Sequence, residues 1–163
     1  MDHSESLTPI LGFLRDIGIP VDAASLPVDA ASLPADGFLP AIEVRGGRLR
    51  YDPDRLQWPG DLLHEAGHIA VTDPAIRATV SEFASDGGDE MAAIAWSYAA
   101  ALAIGIDPRV VFHDHGYRGD GQWLAETFAD GRYIGLPMLQ YYGLARLPAD
   151  DGAPYPAMVK WLR

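Results

Sequence analysis

A chain of 163 residues, 48% of them hydrophobic, is long enough to bury the core of one domain and too short to require a second. Its 23 acidic residues outnumber its 12 basic ones, and the formal charge of -11 repels phosphate backbones and anionic membrane surfaces, so neither nucleic acid nor membrane is expected as a partner. With no cysteine, disulfides and thiolate metal sites are excluded; any metal must be held by His, Asp or Glu, and a reducing, cytoplasmic setting is expected.

In chain order, MDHSESLTPILGFLRDIG opens acidic, and Leu7, Ile10, Leu11, Leu14 and Ile17 recur at three- and four-residue spacing. That predicts an amphipathic helix, unlike the basic and then apolar layout of a signal peptide. The segment VDAASLP (21–27) is then repeated letter for letter (28–34). Each copy ends in proline, which predicts a duplicated loop with at most a helical turn per copy. Residues 1–37 thus form an N-terminal helix and repeat, followed by a body over 38–163. In the body, Ile42 and Val44, then Leu49 and Tyr51, alternate around Gly46-Gly47 and predict a β-hairpin.

The stretch DLLHEAGHIAV (61–71) follows. Pro59 and Asp61 suit a helix start and Thr72-Asp73-Pro74 a stop, which puts His64 and His68 mid-helix. A break at Asp86-Gly87-Gly88-Asp89 precedes an apolar helix from Glu90 to Ile104, ended by Gly105-Ile106-Asp107-Pro108. The apolar run in it falls short of the roughly 20 residues needed to span a bilayer. PRVVFHDHGYRGDG reads as a short element and a polar loop. QWLAETFADGRYIG and LPMLQYYGLARL read as helices and YPAMVKWLR as a last short one. Trp96, Trp123, Trp161 and the pair Tyr141-Tyr142 are spaced like core. The expected class is α+β: a small antiparallel sheet or hairpin on a mostly helical body, in a single domain.

Helix geometry turns the spacing into chemistry. Side chains four apart project from one face, so His64 and His68 can aim imidazole nitrogens at one point about 2 Å from each, which is a metal site. Glu65 lies one residue further round, placed to reach a water on that metal as general base, the His-Glu-x-x-His arrangement of zinc hydrolases. A hydrolytic Zn2+ site needs a third protein ligand. The candidates are Glu82, Asp86, Asp89, Glu90, His113, Asp114, His115, Glu126 and Asp130. Glu90 is preferred because the turns after it (Ala93, Ile94, Ser97, Ala101) are small or apolar and allow close helix packing. His113, His115 and Tyr117 are the groups that could donate to a developing oxyanion.

His64-Glu65-Ala66-Gly67-His68, followed by Glu90-Met91-Ala92-Ala93, resembles the gluzincin metallopeptidases and is similar to their small domains of the ImmA/IrrE type. The resemblance covers about 35 residues, Pro59 to Ala93. It implies a compact zincin-like fold, zinc held by His64, His68 and Glu90, and peptide-bond hydrolysis with Glu65 as base. HEAGH is also similar to the motif of membrane-anchored ATP-dependent zinc proteases, whose later aspartate ligand would correspond to Asp130; no ATPase module accompanies it here. The expected substrate is a peptide or protein segment, aligned along the strand at 41–45. The alternative function is a non-hydrolytic, zinc-stabilised regulatory or binding domain, which would have no need of Glu65.

Overall fold

A computed structural model describes residues 3–27, 41–83, 87–132, 134–146 and 156–163. The amphipathic N-terminal stretch forms α1 (His3–Asp16), whose Ile10 and Leu14 are fully buried while Leu7, Leu11 and Ile17 pack at the core's margin. Strands β2 (Ile42–Arg45) and β3 (Arg48–Tyr51) form the expected hairpin, with Val44 opposite Leu49. Its two-residue turn puts Gly46 and Gly47 at φ +59° and +70°, the pair of left-handed conformations that such turns require and glycine adopts without strain.

The sheet is not purely antiparallel, as expected from sequence, but mixed. The first VDAASLP copy supplies β1 (Val21–Ala23), which runs parallel to β3 with Val21 opposite Leu49, giving the order β1-β3-β2. Ala24 N donates to Tyr51 O (2.8 Å) and Leu49 N to Pro20 O (2.9 Å). A three-residue strand carries no periodicity, and its stabilising partner lies far along the chain, so local sequence reads it as loop. The second copy lies outside the described residues.

Helices α2 (Asp61–Val71) and α4 (Gly87–Ala103) pack together at the centre, with the single turn α3 (Pro74–Arg77) between them in sequence. α2 is buried on almost every side, and α4 from Ala92 to Ala101 is buried throughout, the pattern of helices wrapped all round by other elements. The chain continues through a 3-10 turn at Pro108–Val110, a loop, a second such turn at Tyr117–Gly119, and α5 (Gly121–Ala129).

Two expected helices are corrected. LPMLQYYGLARL is helical only as α6 (Leu136–Tyr141): Gly143 takes φ +70°, the chain turns, and Ala145–Arg146 become β4. YPAMVKWLR is not helical over its described residues; Ala157–Met158 form β5, antiparallel to β4 with Ala145 opposite Met158. Each of these strands has two residues and exists only through the other. The aromatic assignment divides too. Trp96 and Trp161 meet edge-on at 5.6 Å beneath Phe13, but Trp123 is 52% and Tyr141 80% exposed, because each projects from the outer face of a short surface helix. The architecture is α+β, and among the described residues no helix is long and apolar enough to cross a membrane.

Candidate metal centre

α2 places His64 and His68 on one face, and their Nε2 atoms lie 3.2 Å apart. α4 carries Glu90 in its first turn; Oε2 is 3.1 Å from His68 Nε2, and Oε1 is 3.6 Å from His64 Nε2. The helices approach closely at Gly67, where a Cβ would sit 2.7 Å from Ala93 O. Any side chain at 67 would push the helices apart and draw the carboxylate away from the imidazoles. Gly67 was not singled out from sequence, although a glycine in the middle of a buried helix is itself a signal, since it costs about 1 kcal/mol relative to alanine unless a close contact requires it.

The triad is enclosed on one side only. The side chains of His64 and His68 are 15% and 9% exposed, that of Glu90 42%, so an ion or ligand approaches past the carboxylate. Electrostatics follow from this. Burial, reinforced by the neighbouring His68 and only partly offset by Glu90, lowers His64 to a pKa of about 4, so it is neutral. Burial also acts to lower His68, but its hydrogen bond to Glu90 and the charges of Glu65, Glu90 and Asp89 outweigh it and raise the pKa. The same hydrogen bond holds Glu90 below the ordinary carboxylate range, against the effect of burial. Glu65 is pushed up to about 7 by burial, with His68 opposing and Asp61 and Glu90 adding to the shift.

The donor set suits a divalent ion. The two imidazole nitrogens, 3.2 Å apart, match the edge of about 3.3 Å of a tetrahedral site with zinc–nitrogen bonds of about 2.0 Å, and the carboxylate reaches each imidazole with a different oxygen, Oε2 at 3.1 Å from His68 and Oε1 at 3.6 Å from His64. His64, His68 and Glu90 are the one group of three metal-capable residues that converges among the described residues. The alternatives lie elsewhere. Glu126 is exposed and accepts from Gln122, Asp130 pairs with Arg132 at the end of α5, and Asp89 accepts from Tyr142. Glu82, Asp114 and His115 are exposed, and Asp86 lies outside the described residues.

The three loop candidates part company. Tyr117, held at φ +52°, packs its ring edge-on against His64 at 5.3 Å. Its buried hydroxyl forms no hydrogen bond of ordinary geometry, and burial with the charges of Asp61 and Glu90 raises its pKa well above 10, Ser97 offsetting only a little. His113 instead binds Asp61 in the first turn of α2 (Nε2 to Oδ1, 2.9 Å) and stacks on Trp58 at 4.4 Å. His115 is exposed and tilts against the same indole at 5.1 Å. The Asp61–His113 pair was not foreseen from sequence, because its members are brought together only by the chain's return along α2. Two depressions, of about 360 and 580 Å³, flank Trp58 and His113, and neither is lined by a triad residue. Beside His68, the ring of Phe83 stacks on the imidazole at 4.8 Å.

Comparison with protein-family models, with curated proteins and with solved structures finds no match.

Proposed function

We propose that the chain is a zinc-dependent metallopeptidase of zincin type, with the ion held by His64, His68 and Glu90. The observation that carries this reading is the convergence of two imidazoles on α2, their Nε2 atoms 3.2 Å apart, with a carboxylate on α4 that has an oxygen 3.1 Å from one and 3.6 Å from the other. Zinc bound there supplies a positive charge that acidifies water and polarises a carbonyl. Glu65, next to His64 on α2, provides the base: its carboxylate accepts a proton from the attacking water and returns it to the leaving amine. Tyr117, whose ring packs against His64, is the group we assign to stabilising an oxyanion. His113 is engaged with Asp61 and serves to hold the loop that carries Tyr117. An extended peptide is the substrate class; β2, last in the sheet order of the described residues, is where such a strand would add.

The test is Glu65→Gln, which keeps size but cannot accept the proton. The variant retains zinc and its melting temperature, and loses at least about a hundredfold in cleavage of an unbiased peptide library. A parent that binds zinc but cleaves nothing in that library overturns the peptidase reading in favour of a metal-stabilised binding domain.

A further inference from the structure

His64, His68 and Glu90 converge only while α2 and α4 keep a fixed relation, and the contact of Gly67 with Ala93 sets only their crossing point. A second tie joins the C-terminal end of α2 to the first turn of α4 through residues outside the triad. Arg163 N donates to Ala70 O (3.0 Å), and its guanidinium reaches Val71 O (Nη1, 3.4 Å) and Asp73 (Nη2, 3.9 Å). The same guanidinium lies over the Tyr142 ring, 4.1 Å from its centroid. The Tyr142 hydroxyl donates to Asp89 Oδ1, on the residue immediately before Glu90. Tyr142 caps the C-terminal end of α6, whose other end is anchored on the same part of α4: a Cβ on Gly135 would lie 2.1 Å from Met91 O.

We infer that Tyr142, held between Arg163 and Asp89, is a positioning residue for Glu90 and so for metal binding. This rests on the metal reading above. First turns of helices lack part of the backbone hydrogen bonding that holds the interior, so they fray most easily. Glu90 sits in such a turn, and the aim of its long side chain depends on where that turn is held. Bonding Asp89 to a tyrosine hydroxyl immobilises the turn. Stacking a guanidinium on the tyrosine fixes the ring and draws on its electron-rich face. Since Arg163 is bound to the last carbonyls of α2, the helix bearing the histidines and the turn bearing the carboxylate are referred to one another by a continuous chain of contacts: Ala70 and Val71, Arg163, Tyr142, Asp89.

The experiment measures zinc affinity of the full chain by competition with a chelating dye. Tyr142→Phe keeps the ring and its cation contact and removes only the hydroxyl; Asp89→Ala removes the acceptor, and Arg163→Ala breaks the cation contact. Ile10→Val, in the core on α1, matches the lost stability without touching the tie, and Tyr141→Phe is the neighbouring control. Each of the three link variants weakens zinc binding about tenfold, the scale for removing a group that orients a ligand, while both controls stay within about twofold. Combining Tyr142→Phe with Asp89→Ala weakens binding no further than Asp89→Ala alone. If Tyr142→Phe binds zinc like the parent, or Ile10→Val weakens binding as much, the tie is merely structural and the inference falls while the metal reading stands. A parent that takes up no zinc overturns both.

Discussion

To serve as the proposed third zinc ligand, Glu90 must be ionised, and it must reach two imidazoles on another helix. Its hydrogen bond to His68 meets both conditions, holding the carboxylate charged and aimed at the imidazoles. An ion that replaces the shared proton therefore finds its donors in place. Zinc that binds only the folded state adds RT ln(1 + [L]/Kd), about 2.7 kcal/mol at a hundredfold excess over Kd. Chelation consequently lowers the melting temperature of the parent. Glu90→Ala removes most of that sensitivity and Glu126→Ala leaves it intact, because Glu126 is bonded to Gln122 on the exposed side of α5. Thermal melts of the three proteins with and without chelator check this; a chelator-sensitive Glu90→Ala protein moves the third ligand elsewhere. The sequence made this residue legible through the small side chains of the helix that carries it. It could not display Asp61 with His113, Phe83 over His68 or Asp89 with Tyr142, since no spacing rule links residues brought together only by folding.

At the scale of elements, the separation of α2 and α4 decides whether there is a site. Gly67→Ala sets two effects in opposition. Alanine favours helix by about 1 kcal/mol over glycine. A methyl 2.7 Å from Ala93 O and 3.1 Å from its Cα meets backbone rather than a movable side chain, and overpacking of this kind costs about 1–3 kcal/mol. The clash wins. The variant melts below the parent and binds zinc more weakly, whereas Gly12→Ala, with nothing within 4 Å of its Cβ position, does neither. Calorimetry with zinc titration on both variants decides it, and a stabilised Gly67→Ala protein would refute the tight crossing. Elements with a period of their own were legible: α1, the hairpin and the two central helices follow from the placement of their apolar residues. β1, β4 and β5 were not, because strands of two or three residues are stabilised by their partners and carry no pattern of their own.

For the whole molecule, charge is the property that every residue shares in setting. At -11 the folded chain repels itself, and the surface ion pairs Arg48–Asp22 and Arg132–Asp130 offset little of this, since exposed pairs contribute about 0–1 kcal/mol each. Salt screens both, but the repulsion is the larger quantity. Raising sodium chloride from about 10 mM to about 500 mM, which shortens the screening length from about 30 Å to a few Å, therefore raises the urea midpoint at neutral pH. A midpoint that falls would mean that the ion pairs outweigh the net charge. Sequence alone determined the composition and charge, the helix that carries His64, Glu65 and His68, and the hairpin before it, because each depends on residues near one another in the chain. Tertiary structure alone decided that Glu90 meets the two histidines, that Tyr117 rather than His113 or His115 packs against His64, and that the first repeat copy joins the sheet, because each depends on which distant surfaces close packing brings together.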